Sequence, residues 1–189
     1  MLDPTDLDTI RWQLGRPPAG ALAVACRCPY GHPQVVLTHP LHRRGAEFTV
    51  FPTLFWLSCP FLVTAVGRLE SGGAVKRFEA RLATDPDLAA RYAAAHEAYR
   101  RERLSLLSRE EREFLSRVGA GGRLETGIAG LGSPHRVKCL HAHLAHFLAR
   151  GGNPIGEAVA AELPALACPP QRVECVAGAH GAGPSGCHP

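Results

Sequence analysis

The sequence predicts an α+β fold, a small, mostly antiparallel sheet of about three N-terminal strands covered by roughly five to seven helices. β-prone runs fill the first third of the chain, and from Pro60 onward the apolar period is helical. The 189 residues, 46% hydrophobic and 20% charged, suffice for one buried core and exclude wholesale disorder.

Residues 5–14, "TDLDTIRWQL", place Leu7, Ile10 and Leu14 on one face and end at Gly15 and Pro17-Pro18, which predicts a short amphipathic helix. "ALAVACRC" and "QVVLTH" follow, joined by "PYGHP", whose prolines and glycine supply turn chemistry between two strands of a hairpin. "LHRRGAE" reads as an exposed loop, and "TVFPTLFWLS" as a third strand with Pro52 at its start or edge. Pro60 suits a first helical position, and "FLVTAVGRLE" runs from it to Gly72-Gly73. "AVKRFEARLA" is a further helix. Thr84, with Asp87 three residues on, opens the longest one, and Ser108 with Glu111 repeats the capping spacing before "REEREFLSRVG". Ser133-Pro134 reads as the start of a helix through "VKCLHAHLAHFLAR", ended by Gly151-Gly152, and Asn153-Pro154 starts the last. We therefore expect one globular domain over residues 1–167 and a largely disordered Pro/Gly/Cys-rich tail over 168–189.

The uncharged stretch 48–67 approaches membrane thickness, but Pro52 and Pro60 break it, so it reads as a buried strand running into a buried helix rather than a span. The net charge of +4 is mild and its arginines are interleaved with glutamates, which argues against dedicated nucleic-acid binding. The start "MLDPTDLDTI" lacks a secretory pattern, giving a cytoplasmic expectation in which the seven cysteines are thiols or ligands rather than a disulfide framework.

Cysteine and histidine concentrate in "KCLHAHLAH". On a continuous helix with Cys139 at zero, His143 falls at about 40° and His146 at about −20°, while His141 falls at about 200°, beside the apolar arc. Cys139, His143 and His146 would then form a flank able to meet other ligands, with His141 supporting from the core side. A structural zinc site needs four soft or borderline donors, and Cys28 and Cys59, each before a proline at a strand end, are the candidates to complete it. Cys59 also precedes a predicted helix start, where the dipole favours thiolate and suits either a ligand or a nucleophile. The opposite reading is that the cysteines are small buried hydrophobes and the histidines solvated. "GIAGLGSPHRVK" adds a weak anion cradle of Ser133, Arg136 and Lys138 at a helix N-terminus. His96, between Tyr92 and Tyr99, is either a packed stripe or a general base.

Taken together, "CRCPYGHPQVVLTHP", "VFPTLFWLSCP", "GIAGLGSPHRVKCLHAHLAH" and "GGNPIGEAV" resemble the bacterial family known as domain of unknown function 501, over about residues 20–160. The resemblance marks Cys28-Pro29, Cys59-Pro60, Lys138-Cys139, His141, His146 and Asn153-Pro154 with Gly156 as landmark positions. His143 lies at a looser position, and Cys26, Cys168, Cys175 and Cys187 fall outside the landmarks. Such proteins are often encoded near a septum-formation initiator and an exopolyphosphatase, implying a loose link to cell division or phosphate metabolism. Three functions follow as expectations. The first is a zinc-binding protein using Cys28, Cys59, Cys139 and His146 or His143. The second is a thiol- or metal-dependent hydrolase of an anionic, phosphorylated small molecule. The third is an interaction module without chemistry.

Overall fold

The computed structural model describes residues 2–45 and 47–175. The chain opens with α1 (Pro4–Leu14), whose N-cap Asp3 accepts from the Thr5 N–H and whose left-handed Gly15 ends it. Strands β1 (Ala21–Arg27) and β2 (Pro33–Thr38) form the expected hairpin. Next come β3 (Leu41–Arg44) and β4 (Glu47–Val50), a second hairpin where a loop was expected. β5 (Phe55–Leu57) returns to pair antiparallel with β2, so the main sheet has the order β1-β2-β5 and β2 is its buried centre.

The helices are α2 (Pro60–Ser71), α3 (Ala74–Thr84), α4 (Pro86–Ser105), α5 (Arg109–Arg117), α6 (Leu140–Arg150) and α7 (Pro154–Glu162). Among the described residues this makes seven helices with a three-stranded and a two-stranded antiparallel sheet, an α+β architecture as expected. None of these helices is long and apolar enough to cross a membrane, and the uncharged stretch splits between β4, β5 and the start of α2.

Local rules account for most boundaries. Ser108 and Glu111 form the reciprocal capping box of α5. The cap of α4 is Asp85 rather than Thr84: its carboxylate accepts from the Leu88 N–H at 2.9 Å, and a carboxylate adds favourable charge at the positive helix end.

The main departure is α6, which begins at Leu140 and not at Pro134. Ser133 accepts from the His135 N–H in a local turn, and Cys139 sits at φ 53°, ψ 82°, a left-handed conformation that no continuous helix contains. Partners from other helices hold residues 136–139 outside the helix and fix its start at Leu140. Glu79 accepts from the Val137 N–H (3.0 Å), Glu70 from the Leu140 N–H (2.5 Å), and Tyr92 donates to the Arg136 carbonyl (3.1 Å).

α6 is the central helix, packed against β5, α2 and α7. Leu140, Ala142, His143, Leu144, Ala145 and His146 are all buried, so its core arc is far wider than the sequence pattern implied. α7 approaches closely because Gly156 faces α6, where a Cβ would lie 2.2 Å from the His143 carbonyl oxygen.

Burial continues past residue 167. Tyr30 donates to the Cys168 carbonyl and Gln34 to the Leu166 carbonyl, and Cys168 and Cys175 are buried. The rest of the expected tail, 176–189 with Cys187, lies outside the described residues.

Candidate functional site

The expected ligand set separates into three places. Cys139 and His141 lie at the start of α6, beside the end of α2. His143 and His146 point the other way, into the core, at 0% and 4% exposure. Cys28 and Cys59 lie at the end of the main sheet, where Cys59 caps α2 without a side-chain hydrogen bond. The helical angles misplaced Cys139 because it stands outside the helix. They also reversed the histidines, since His141 is the outward one and His143 the buried one.

Among the described residues, the group of Cys, His, Asp and Glu whose ligand atoms lie mutually within 4.8 Å is Glu70, Cys139 and His141. This group could hold a metal ion. Cys139 is exposed, and Glu70 and His141 are partly buried. The His141 Nε2 lies 3.1 Å from the Val63 carbonyl, which can only accept, so Nε2 carries the proton of the neutral ring. Nδ1 then presents its lone pair toward Glu70 Oε1, 3.3 Å away, and the Cys139 thiol. Metal-binding histidines are commonly oriented in this way, with the second ring nitrogen donating to a carbonyl. Burial alone would push the His141 pKa down, but the hydrogen bond with Cys139 and the charge of Glu70 outweigh it and raise the pKa above the ordinary value.

Glu70 is the member that motif reading missed. Its trace in the sequence is an acidic residue in the last turn of a helix, where the dipole disfavours negative charge. That local conflict is resolved in the tertiary structure, where Glu70 caps the free Leu140 N–H of α6 and faces His141.

A buried hydrogen-bond chain positions the loop before Cys139. Asn153 caps α7 by accepting from the Ile155 and Gly156 N–H groups at 3.2 and 3.1 Å, which fixes its amide so that Nδ2 points at α6. Nδ2 reaches His143 Nδ1 at 3.2 Å and His146 Nδ1 at 3.4 Å. With Nδ1 accepting, the His143 Nε2–H donates to the Tyr92 oxygen at 3.2 Å, and Tyr92 in turn donates to the Arg136 carbonyl. The cap residue of α7 thus fixes the backbone three residues before Cys139.

Burial holds these rings neutral. The His143 pKa is lowered to about 3 and that of His146 to about 4, chiefly by desolvation. His96 joins the cluster. Its Nδ1 accepts from the Ile128 N–H at 3.0 Å, its ring packs edge-on to Tyr92, and burial lowers its pKa to about 4. Of the two readings of His96, the packed stripe matches this environment. Gly127 must lack a side chain here, because a Cβ would lie 1.8 Å from His96 Nδ1.

The residues of the expected anion cradle are engaged differently. Arg136 pairs with Glu79 at 2.8 Å, Ser133 serves its local turn, and the N–H groups of Val137 and Leu140 are taken by carboxylates. Lys138 is exposed beside Cys139. At Cys59 the α2 dipole loses to desolvation: the thiol is 4% exposed and burial pushes its pKa up to about 12, which does not suit a free nucleophile.

Fold and site together define an α+β domain carrying a partly exposed carboxylate, thiol and imidazole group at a helix junction. Residues 24–161 match the family model described as Protein of unknown function (DUF501), and the chain belongs to that family. Neither a curated protein nor a solved structure matches it.

Proposed function

We propose that Glu70, Cys139 and His141 bind a zinc ion at a three-ligand site open to solvent, and that the protein is a metal-dependent hydrolase of an anionic small molecule. The mutual approach of three different ligand atoms at an exposed position carries this reading. Zinc suits the mixed sulfur, nitrogen and oxygen set, and with three protein ligands it supplies an activated water at neutral pH. Val63 fixes the tautomer that offers Nδ1, Glu70 and Glu79 hold the backbone around Cys139, and exposed Lys138 supplies a cation for the substrate.

The zinc content and zinc affinity of the purified full chain test this. His141→Ala and Cys139→Ala should each weaken binding at this site by about tenfold or more. Metal content unchanged in both variants, or less than about one tenth of an equivalent after zinc-replete expression, refutes it.

The left-handed backbone of Cys139 at the positive end of α6 favours a second reading, in which the thiol itself is the nucleophile and His141 Nδ1 its base. In that case iodoacetamide labels Cys139 of metal-free protein faster than free cysteine at neutral pH, and Glu70→Gln or His141→Ala slows the labelling. Labelling at the rate of an ordinary thiol rejects it.

A further inference from the structure

A second group of sulfurs lies away from Cys139, where the end of the β1-β2 hairpin meets the start of α2 and the segment following α7. Hydrogen bonds establish the convergence. The Gln34 carbonyl accepts from the Ser58 and Cys59 N–H groups, and its side chain donates to the Leu166 carbonyl at 2.7 Å. Tyr30, two residues after Cys28, donates to the Cys168 carbonyl at 3.0 Å. Gln13 of α1 donates both to the Pro33 carbonyl at 2.7 Å and to Cys175 Sγ at 3.3 Å. Residues 28–34 are therefore bordered by Cys59, Cys168 and Cys175, with Cys28 among them. Burial raises the Cys59 and Cys175 pKa values first, and the sulfurs are near enough that a thiolate at Cys168 raises both further.

Two of these sulfurs already stand where a thiolate is favoured, one through a hydrogen bond and one at a helix end. Gln13 donates to Cys175 Sγ, and Cys59 stands at the N-cap of α2, at the positive end of that helix. Cys26 is occupied otherwise, with its sulfur turned to the Arg27 carbonyl and Gln34 Oε1 at 3.7 Å each.

We propose that Cys28, Cys59, Cys168 and Cys175 form a tetrathiolate metal centre that takes one zinc ion and clasps the segment after α7 onto the sheet. This centre is independent of the Glu70, Cys139 and His141 site. The segment from Leu163 to Val173 contains no helix or strand, so few backbone bonds hold it, and metal coordination is a common staple for such irregular chain. Among the described residues no three of these sulfurs lie within 4.8 Å of one another, whereas tetrahedral zinc at about 2.3 Å from each sulfur brings them to about 3.8 Å. Binding therefore draws the sulfurs together. Four thiols release four protons to water, four Zn–S bonds form, and the centre carries two negative charges with no electron transferred. The positive end of α2 at Cys59 favours that charge.

The test uses the full chain, purified reduced after zinc-replete expression. We expect tightly held zinc, cobalt substitution giving the sulfur-to-metal charge-transfer and ligand-field bands of tetrahedral thiolate coordination, and alkylation of these four cysteines slowed about tenfold until a chelator is added. The double variant Cys168→Ser with Cys175→Ser should lose one equivalent of zinc and the tetrathiolate cobalt bands, while Cys26→Ser keeps both and Cys139→Ala keeps the bands. Wild-type protein without cobalt–thiolate bands overturns the proposal whether or not the variants fold. So does a disulfide among the four cysteines, iron with sulfide in place of zinc, or a zinc content and cobalt bands unchanged in the double variant. Loss of zinc in Cys139→Ala with the bands intact concerns the other site alone.

Discussion

Asn153→Ala tests the buried chain that reaches from α7 to the Cys139 loop. The substitution removes the cap of α7, worth about 1 kcal/mol. It also removes the donor to His143 Nδ1 and His146 Nδ1, and both rings are almost completely buried. A buried acceptor left without a partner costs about 1–3 kcal/mol, so the sum is about 3–5 kcal/mol after some relief from water entering the vacated space. Urea unfolding at pH 7.5 reads this directly. With a slope of about 2 kcal/mol/M the midpoint should fall by about 1.5–2.5 M. Tyr92→Phe breaks the far end of the same chain, where Tyr92 accepts from His143 and donates to Arg136. The two changes should be non-additive, with a coupling energy of about 1 kcal/mol or more. A loss near 1 kcal/mol for Asn153→Ala, the capping effect alone, or strict additivity with Tyr92→Phe would refute the relay.

The three buried imidazoles make stability depend on pH. His96 and His146 at about 4 and His143 at about 3 all lie below the ordinary 6.5, so the unfolded chain takes up protons first as pH falls. Stability should therefore be full above about pH 6.5, decline by about 2 kcal/mol per ring by pH 5, and level off below the folded pKa values. Unfolding midpoints that stay flat between pH 7.5 and 5 would contradict this. Gly156→Ala should cost about 3 kcal/mol by forcing α7 away from α6, since the new methyl would meet the His143 carbonyl and Phe147 at 2.2 and 2.6 Å, and calorimetry checks it. Arg103 is fully buried with its guanidinium on the carbonyls of Pro52, Leu124, Thr126 and Gly127, so Arg103→Met and Arg103→Lys should both lose about 3–5 kcal/mol in the same unfolding assay.

The elements that follow local rules were legible in the chain. The turn residues of "PYGHP" place the β1-β2 hairpin, the capping box places α5, and Asn153-Pro154 places α7. The β3-β4 hairpin was not legible, because "LHRRGAE" is polar and short and is held in part by Leu41 and Val50 packing against Leu107, Leu115 and Leu124, far along the chain. The start of α6 was misread for a related reason. Residues 134–139 have an acceptable helical sequence, but Glu70, Glu79 and Tyr92 offer their backbone better partners than the next helical turn would.

The sequence by itself determined the α+β class, the family, most helix ends, and the fact that cysteine and histidine gather around residues 139–146. Tertiary structure decided which of them meet. Left-handed geometry at Cys139 removed it from the helical stripe and turned it with His141 toward Glu70, while His143 and His146 entered the core as neutral rings on Asn153. The segment after α7 likewise returned Cys168 to the β1-β2 turn and Cys175 to α1. The reason is range. Caps and turns are bonds between near neighbours, whereas a ligand set is chosen by packing between elements that lie tens of residues apart.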